Sequence, residues 1–373
     1  PEKVELGKLL FHETFMGQLP KRPKGMMTYS CATCHHVDAG FQSGTRQALG
    51  EGGLGFGNHG ENRSLSEGYD AATVDIQPIK SPSTLNVAYQ EVMLWNGQFG
   101  AKGVNKGTEK VWETDTVLEV NYLGFEGIET QAIAALTTHR QKTANAGLED
   151  FDEYQNLLDK AFPGESFNHE IVGLALAAYE RTLLSDEAPF QLWLKGDRNA
   201  MSLEEKEGAL LFFGKGECVK CHTGPALNKM DFYALGLNDL SGDGILGRLS
   251  PAAKYGRGFY NQNNDDLFKF KVPQLYNLKD VGFFGHGGSI RSIREMIEYK
   301  NNAVPENKFV PLNYISEDFH PLSLTDEEID KLTLFLEKSL YDPNLERYVP
   351  EKLPSGLCFP NNDEASRFDL GCN

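Results

Sequence analysis

Apolar positions fall at helical spacing in a few separated stretches of the chain, with long polar and glycine-rich runs between them. Val4, Leu6, Leu9, Leu10 and Phe11 form one broad apolar face, so the spacing predicts a helix from Pro1 to about Phe15. The same pattern predicts helices over 127–140, 151–162 and 169–184. Ser202 and Glu205 form a capping box that opens a helix running into Cys218. Thr325 and Glu328 repeat the box ahead of Ile329, Leu332, Leu336 and Leu340. Strand alternation is scarce, and the glycine-rich stretch 42–68 reads as loop. The chain therefore reads twice as helix, short Cys/His motif, long loop and helix. That order predicts a mainly α protein with little β structure and two units, residues 1–190 and 191–373, divided near Leu184 to Arg198.

Composition narrows the setting. A length of 373 residues and an apolar fraction of 40% suffice for two or three domains with their own cores. No apolar run approaches the roughly 20 residues of a bilayer-spanning helix, so no membrane span is expected. Pro1 opens directly into amphipathic helix, which reads as a mature chain whose signal peptide has been removed. With 36 basic against 53 acidic residues, the net charge of −17 argues against nucleic acid and anionic membranes and suits a basic electron donor. Six cysteines divide into two CxxC pairs plus Cys358 and Cys372, which lie in an aperiodic tail over 350–373. Such a tail needs a tie to stay ordered, and a Cys358–Cys372 disulfide supplies one. An oxidising compartment follows, and the periplasm is the expected location.

Two motifs carry the chemistry: Cys31-Ala32-Thr33-Cys34-His35 and Cys218-Val219-Lys220-Cys221-His222. In CxxCH two thiols add across haem vinyl groups while the adjacent histidine reaches the iron. A disulfide or half a zinc site would leave the histidine at both places a coincidence. Two covalently bound haems c are therefore expected, with His35 and His222 as iron ligands. What faces the other side of each iron decides between electron transfer and peroxide chemistry.

Over residues 5–345 the sequence resembles the bacterial di-haem cytochrome c peroxidases and their MauG-type relatives. The resemblance rests on Leu6 to Phe11, Ser30 to His35 with Gly40-Phe41, Pro82 to Asn86, Leu94 to Gly97, Glu129 to Ala132, Leu211 to Gly224, Phe270 to Asn277 and Gly285 to Ser289. It implies two cytochrome c-like domains, the N-terminal one with a peroxide-binding haem and the C-terminal one with an electron-relay haem. It also implies that Trp95 bridges the haems and that Gln131 lines the distal pocket of the first.

This chain departs from the family pattern in four places. A histidine that caps the first iron in many members is replaced by Ala72, with His59 nearby in a glycine-rich loop, so an open first haem is expected. The distal glutamate position holds Gln141, which cannot shuttle a proton. His139 is the substitute acid–base group, against the alternative of a solvated helix-end histidine. The second ligand of the relay haem, Met or Tyr in the family, falls at Lys300, with Tyr299 and Met296 as rivals. His286 is assigned to the surroundings of that haem. A calcium ion is held between the domains in many members, but here Lys80 stands where an asparagine would bind it. An insertion over 100–124 adds a loop that shapes access or a partner surface.

The reading is a periplasmic haem-dependent oxidoreductase. It reduces hydrogen peroxide to water with electrons from a small redox protein, a cytochrome c or a cupredoxin. Two alternatives stand: a MauG-type enzyme that oxidises residues of a partner protein, and a pure electron-transfer cytochrome with both irons six-coordinate.

Overall fold

The structure is a computed structural model and describes residues 1–372. Helix α1 (Glu2–His12) buries Leu6, Leu9, Leu10 and Phe11, the face its spacing predicts. It packs with α2 (Gly127–Thr138), α3 (Asp152–Ala161) and α4 (His169–Glu180) around a first core running from Leu6 to Leu183. At Gly7 a Cβ would sit 1.9 Å from the Ala175 carbonyl oxygen, so only glycine lets α1 and α4 cross this closely.

The second unit repeats that crossing. Its helices are α5 (Pro189–Leu194), α6 (Leu203–Phe213), α7 (Pro251–Asn261), α8 (Ile293–Asn302) and α9 (Asp326–Leu334), which continues as a π turn over Phe335–Ser339. Helix α6 lies on α9, and a Cβ at Gly208 would come within 2.1 Å of the Lys331 carbonyl oxygen. Both crossings use the same local sequence, Gly-x-Leu-Leu-Phe, at 7–11 and 208–212. A second core runs from Ala188 to Leu340.

Both capping boxes form, Ser202 with Glu205 and Thr325 with Glu328. The helix expected to reach Cys218 stops at Phe213, because Gly214 leaves helical geometry and Cys218 opens a separate 3-10 turn. Helix α7, which breaks at Gly256, was not legible as a periodic stretch. About 40% of residues are helical and 5% lie in strands or isolated β-bridges. The strands form two short antiparallel ladders. In one, β1 (Gly53–Leu54) pairs Gly53 with Leu65 and Leu54 with Ser64 of β2 (Ser64–Leu65). In the other, β3 (Phe232–Tyr233) pairs Phe232 with Lys271 and Tyr233 with Phe270 of β4 (Phe270–Lys271).

From Leu345 onward the chain returns to the first unit. Leu345 and Leu353 join the first core, and Cys358 and Cys372 form the expected disulfide around α10 (Glu364–Asp369). The tail is bonded to the loop that carries Cys31: Ser30 and Thr33 hydroxyls donate to the Pro360 carbonyl. Asp363 pairs with the buried Arg63 at 3.3 Å. The insertion forms 3-10 turns at Gly103–Asn105, Glu109–Val111 and Val117–Leu123. It docks on α7, where the Arg257 guanidinium donates to Asn105 Oδ1 at 2.7 Å and to the Val104 carbonyl at 2.8 Å.

Candidate haem sites and the residues between them

Each CxxCH motif folds as a tight turn that brings its histidine back over the first cysteine. The amide of His35 donates to the Cys31 carbonyl at 3.1 Å and that of His222 to the Cys218 carbonyl at 2.8 Å. His35 Nδ1 lies 3.3 Å from the Phe41 carbonyl oxygen, and His222 Nδ1 lies 2.9 Å from that of Leu227. A histidine that donates through Nδ1 keeps its Nε2 lone pair for a metal. Burial pushes both imidazoles down to about 4, so each is neutral as a ligand must be. All four motif cysteines are free thiols, and no group of three or more His, Cys, Asp or Glu side chains suited to a metal ion occurs among the described residues. The residues fit two c-type haems and not zinc. Cys31, Cys34 and His35 would hold the first, and Cys218, Cys221 and His222 the second.

Around the first site, Ala72 is exposed, and three residues on Asp75 turns inward to meet the end of α2. There His139, the C-cap residue, places Nδ1 2.7 Å from Asp75 Oδ2. Burial opposes a charge on this imidazole, but the Asp75 carboxylate outweighs it and holds the pKa above the ordinary histidine value. The charge of His139 in turn lowers that of His35, so the two rings share one neighbourhood. Gln131, on α2, is half-buried and its amide has no hydrogen-bond partner among the described residues. Gln141 is buried with its Oε1 unpartnered. His59 is exposed on its loop, and its charge acts on His36 and Asp38 rather than on His35.

Sequence reasoning missed three groups here. Asp75 carried no motif. His36 is buried beside Phe56 with its Nδ1 unpartnered. Glu180, at the end of α4, is buried with Oε2 unpartnered; burial, reinforced by Glu129, pushes it up to about 8. Its position inside an apolar helical run was the available signal.

The second site opens into a cavity of about 210 Å³ lined by Cys221, His222, Met296, Lys300, His286 and Trp95, among others. Lys300 makes no hydrogen bond or ion pair with any described residue, and burial lowers its pKa. Its charge depresses His222, which it faces across this space. Met296 lines the cavity one turn earlier. Tyr299 does not line it: its hydroxyl donates to the Leu235 carbonyl at 2.6 Å and its ring rests on Phe319. Of the three rivals, Lys300 and Met296 are brought to the site and Tyr299 is turned away.

Trp95 sits in a turn between the two motifs, with the Gly97 amide donating to the Leu94 carbonyl at 3.1 Å. Its indole donates to the Lys80 carbonyl at 2.8 Å, and its ring meets His286 edge-on at 6.4 Å. His286 is stacked on Phe270 at 3.7 Å, and its Nε2 lies 3.2 Å from Asp239 Oδ1. Lys80 is buried, its Nζ donating to Gln42 Oε1.

Known proteins resemble this chain in sequence and in fold. The MauG methylamine utilization protein of Methylophilus methylotrophus is 27% identical over 341 residues, covering 90% of this chain and 82% of its own length. The cytochrome c551 peroxidase of Pseudomonas aeruginosa is 24% identical over 83% of this chain and 75% of its own. Among solved structures, a MauG-like protein associated with microbial copper homeostasis superposes with a TM-score of 0.64 at 21% identity, covering 92% of this chain and 90% of its own. The diheme peroxidase BthA from Burkholderia thailandensis gives 0.60 at 17%, covering 95% and 89%. The profile of the di-haem cytochrome c peroxidases matches residues 1–199, the stretch holding the first CxxCH motif, Trp95 and Gln131. By that match the chain belongs to the di-haem cytochrome c peroxidase family.

Proposed function

We propose that the chain reduces hydrogen peroxide to water, taking up two protons and two electrons per peroxide, with electrons from a small redox protein such as a cytochrome c or a cupredoxin. Haem held at His35 supplies the iron at which the O–O bond breaks. The chain's own residues supply the proton, the orientation and the electron path. The observation that carries the reading is the His139–Asp75 pair at 2.7 Å beside His35. An imidazole held above its ordinary pKa keeps its proton to higher pH than a free histidine, and from there it can protonate the departing oxygen. The amides of Gln131 and Gln141 orient the peroxide, one as donor and the other through its unpartnered Oε1.

At the second site we assign Lys300 as the side chain that, with His222, would hold the haem iron. Its lack of any other partner, its lowered pKa and its place on the cavity wall with His222 support this, because a neutral amine binds ferric iron. Electrons enter there and cross by Trp95. The disulfide and the covalent haem motifs favour the periplasm.

The MauG-type alternative, oxidation of a partner protein's residue, draws support from one observation: Ala72 stands exposed where many family members carry the capping histidine, and His59 is exposed on its loop. Low-temperature EPR of the oxidised holoprotein tests the proposal. The expected spectrum is one high-spin and one low-spin signal, the former changing on adding peroxide. Two low-spin signals that ignore peroxide before and after one-electron reduction would leave only electron transfer. Consumption of peroxide only when a protein substrate is present would favour the MauG-type reading.

A further inference from the structure

Two lysines lie buried between the haem motifs without a counter-charge. Lys80 is 3% exposed and Lys271 7%. Each ammonium has one polar partner, an amide oxygen: Gln42 for Lys80 and Gln90 for Lys271. No carboxylate among the described residues pairs with either. Both line the cavity that holds His222 and Trp95. Of the acids on that wall, Asp239 is committed to His286 and Asn307, and Asp318 is exposed. An ammonium carries three donors, so each lysine has two more to place, and an isolated buried charge is strongly destabilising. The chain provides no anion here, and burial lowers Lys80 to about 7 and Lys271 to about 8, so a bound anion is what would keep both ammonium groups charged.

We propose that Lys80 and Lys271 bind the propionates of the two haems, Lys80 one from the haem at His35 and Lys271 one from the haem at His222, and so clamp both cofactors to Trp95. The assignment follows the backbone. Lys80 is held by Gln42, next to the Phe41 carbonyl that orients His35, and its charge acts on His35. Lys271 lies two residues before Pro273, whose carbonyl bonds His222. Each lysine is also tied to the tryptophan: the Lys80 carbonyl accepts from the indole at 2.8 Å, and the Lys271 amide donates to the Trp95 carbonyl at 2.7 Å. Carboxylate, ammonium and indole thus form one connected unit on each side of the bridge, with no metal ion needed between the haems.

The inference rests on the two-haem reading, and the test separates the two. Holoprotein variants Lys80→Met and Lys271→Met keep side-chain length and remove the charge. Haem content is counted first by pyridine haemochrome; fewer than two haems in the wild type would sink the two-haem reading itself. Midpoint potentials are then measured by spectroelectrochemistry at about pH 6, above the carboxylate range and below the lowered values of both lysines. A nearby cation favours the reduced, more negative haem. Lys80→Met should therefore shift the His35 haem to lower potential and Lys271→Met the His222 haem, with Lys80→Arg close to wild type. Unchanged potentials in both methionine variants would overturn the proposal. If either variant fails to load haem, wild-type protein decides. Its EPR spectrum should survive prolonged dialysis against a calcium chelator, and a spectrum that changes on chelation and returns with calcium would assign the propionates' counter-ion to the metal instead.

Discussion

The His139–Asp75 pair offers the sharpest test of the proton path. In Asp75→Asn the buried side chain keeps its shape and its backbone bonds to Gly50 and Glu51, while the charge that holds His139 protonated is lost. A hydrogen bond to a charged group contributes about 1.5–3 kcal/mol, and the His139 side chain is 34% exposed, so solvent screening trims this to about 1–2 kcal/mol. On the alkaline side that is about a five- to thirtyfold smaller protonated fraction. Burial remains and now acts unopposed, which moves the imidazole in the opposite direction from wild type. The second-order rate of peroxide reduction, followed by stopped flow from acidic to alkaline pH, should lose its alkaline limb at lower pH in Asp75→Asn. In His139→Gln it should fall about 10²-fold or more on the acidic side, where wild-type His139 carries its proton, and the gap should narrow in alkali. Because the folded pKa of His139 is raised, the pair's contribution to stability is fully present below the ordinary histidine value and fades as pH rises through the folded one. The melting temperature of Asp75→Asn should accordingly trail wild type on the acidic side and converge with it in alkali. A pH–rate profile identical in wild type and Asp75→Asn, with an active His139→Gln, would refute the assignment.

Four further outcomes are expected. Lys300→Ala should convert the low-spin signal of the second haem to high spin, while Met296→Leu leaves it intact; the reverse result would make Met296 the ligand. Glu180→Gln should stabilise the protein by on the order of 3 kcal/mol at pH 7, since the buried acid, pushed up to about 8, stays neutral where the unfolded chain ionises, and the gain should vanish below pH 4.5 in thermal melts. Gly208→Val should cost about 3 kcal/mol or more in denaturant titrations, because its side chain meets the Lys331 carbonyl. Replacing Cys358 and Cys372 by serine should remove about 3 kcal/mol from the tail's docking, read as faster amide exchange at Gly55 and Gly57, which the tail's Asp363 and Asp369 hold.

Much of the molecule was legible in the sequence because its signals are local. The CxxCH motifs, both capping boxes and the apolar face of α1 are each complete within a few residues, and each appears where its spacing puts it. Gly7 and Gly208 were visible as letters, yet their role depends on a partner helix more than a hundred residues away in sequence. The same holds for Asp75, which becomes informative only when a loop folds over the end of α2. Lys80 illustrates the middle ground: the sequence placed a cation at an unusual position, but its burial and the companion Lys271 emerged only in three dimensions. For Lys300 and Tyr299, adjacent in sequence, side-chain direction on α8 separates what counting residues left open. The tail followed no periodicity, and its return to the first unit depends on long-range hydrogen bonds that no local pattern encodes.

The turn holding Trp95 is fastened from both units. Its indole bonds the Lys80 carbonyl, its own carbonyl accepts from Lys271, and the Arg257 guanidinium of α7 reaches the carbonyls of Asn96 and Gly97 at 3.3 and 3.2 Å. A hinge opening between the units would break the Lys271 and Arg257 bonds together, so the place of the Trp95 turn against the second unit is set once, when the chain folds. Under the proposed function, an electron crossing at Trp95 would then meet a part of the chain that is already held in place. Control over when current flows would then fall to the residues and charges at each end of this path, while the path itself stays fixed.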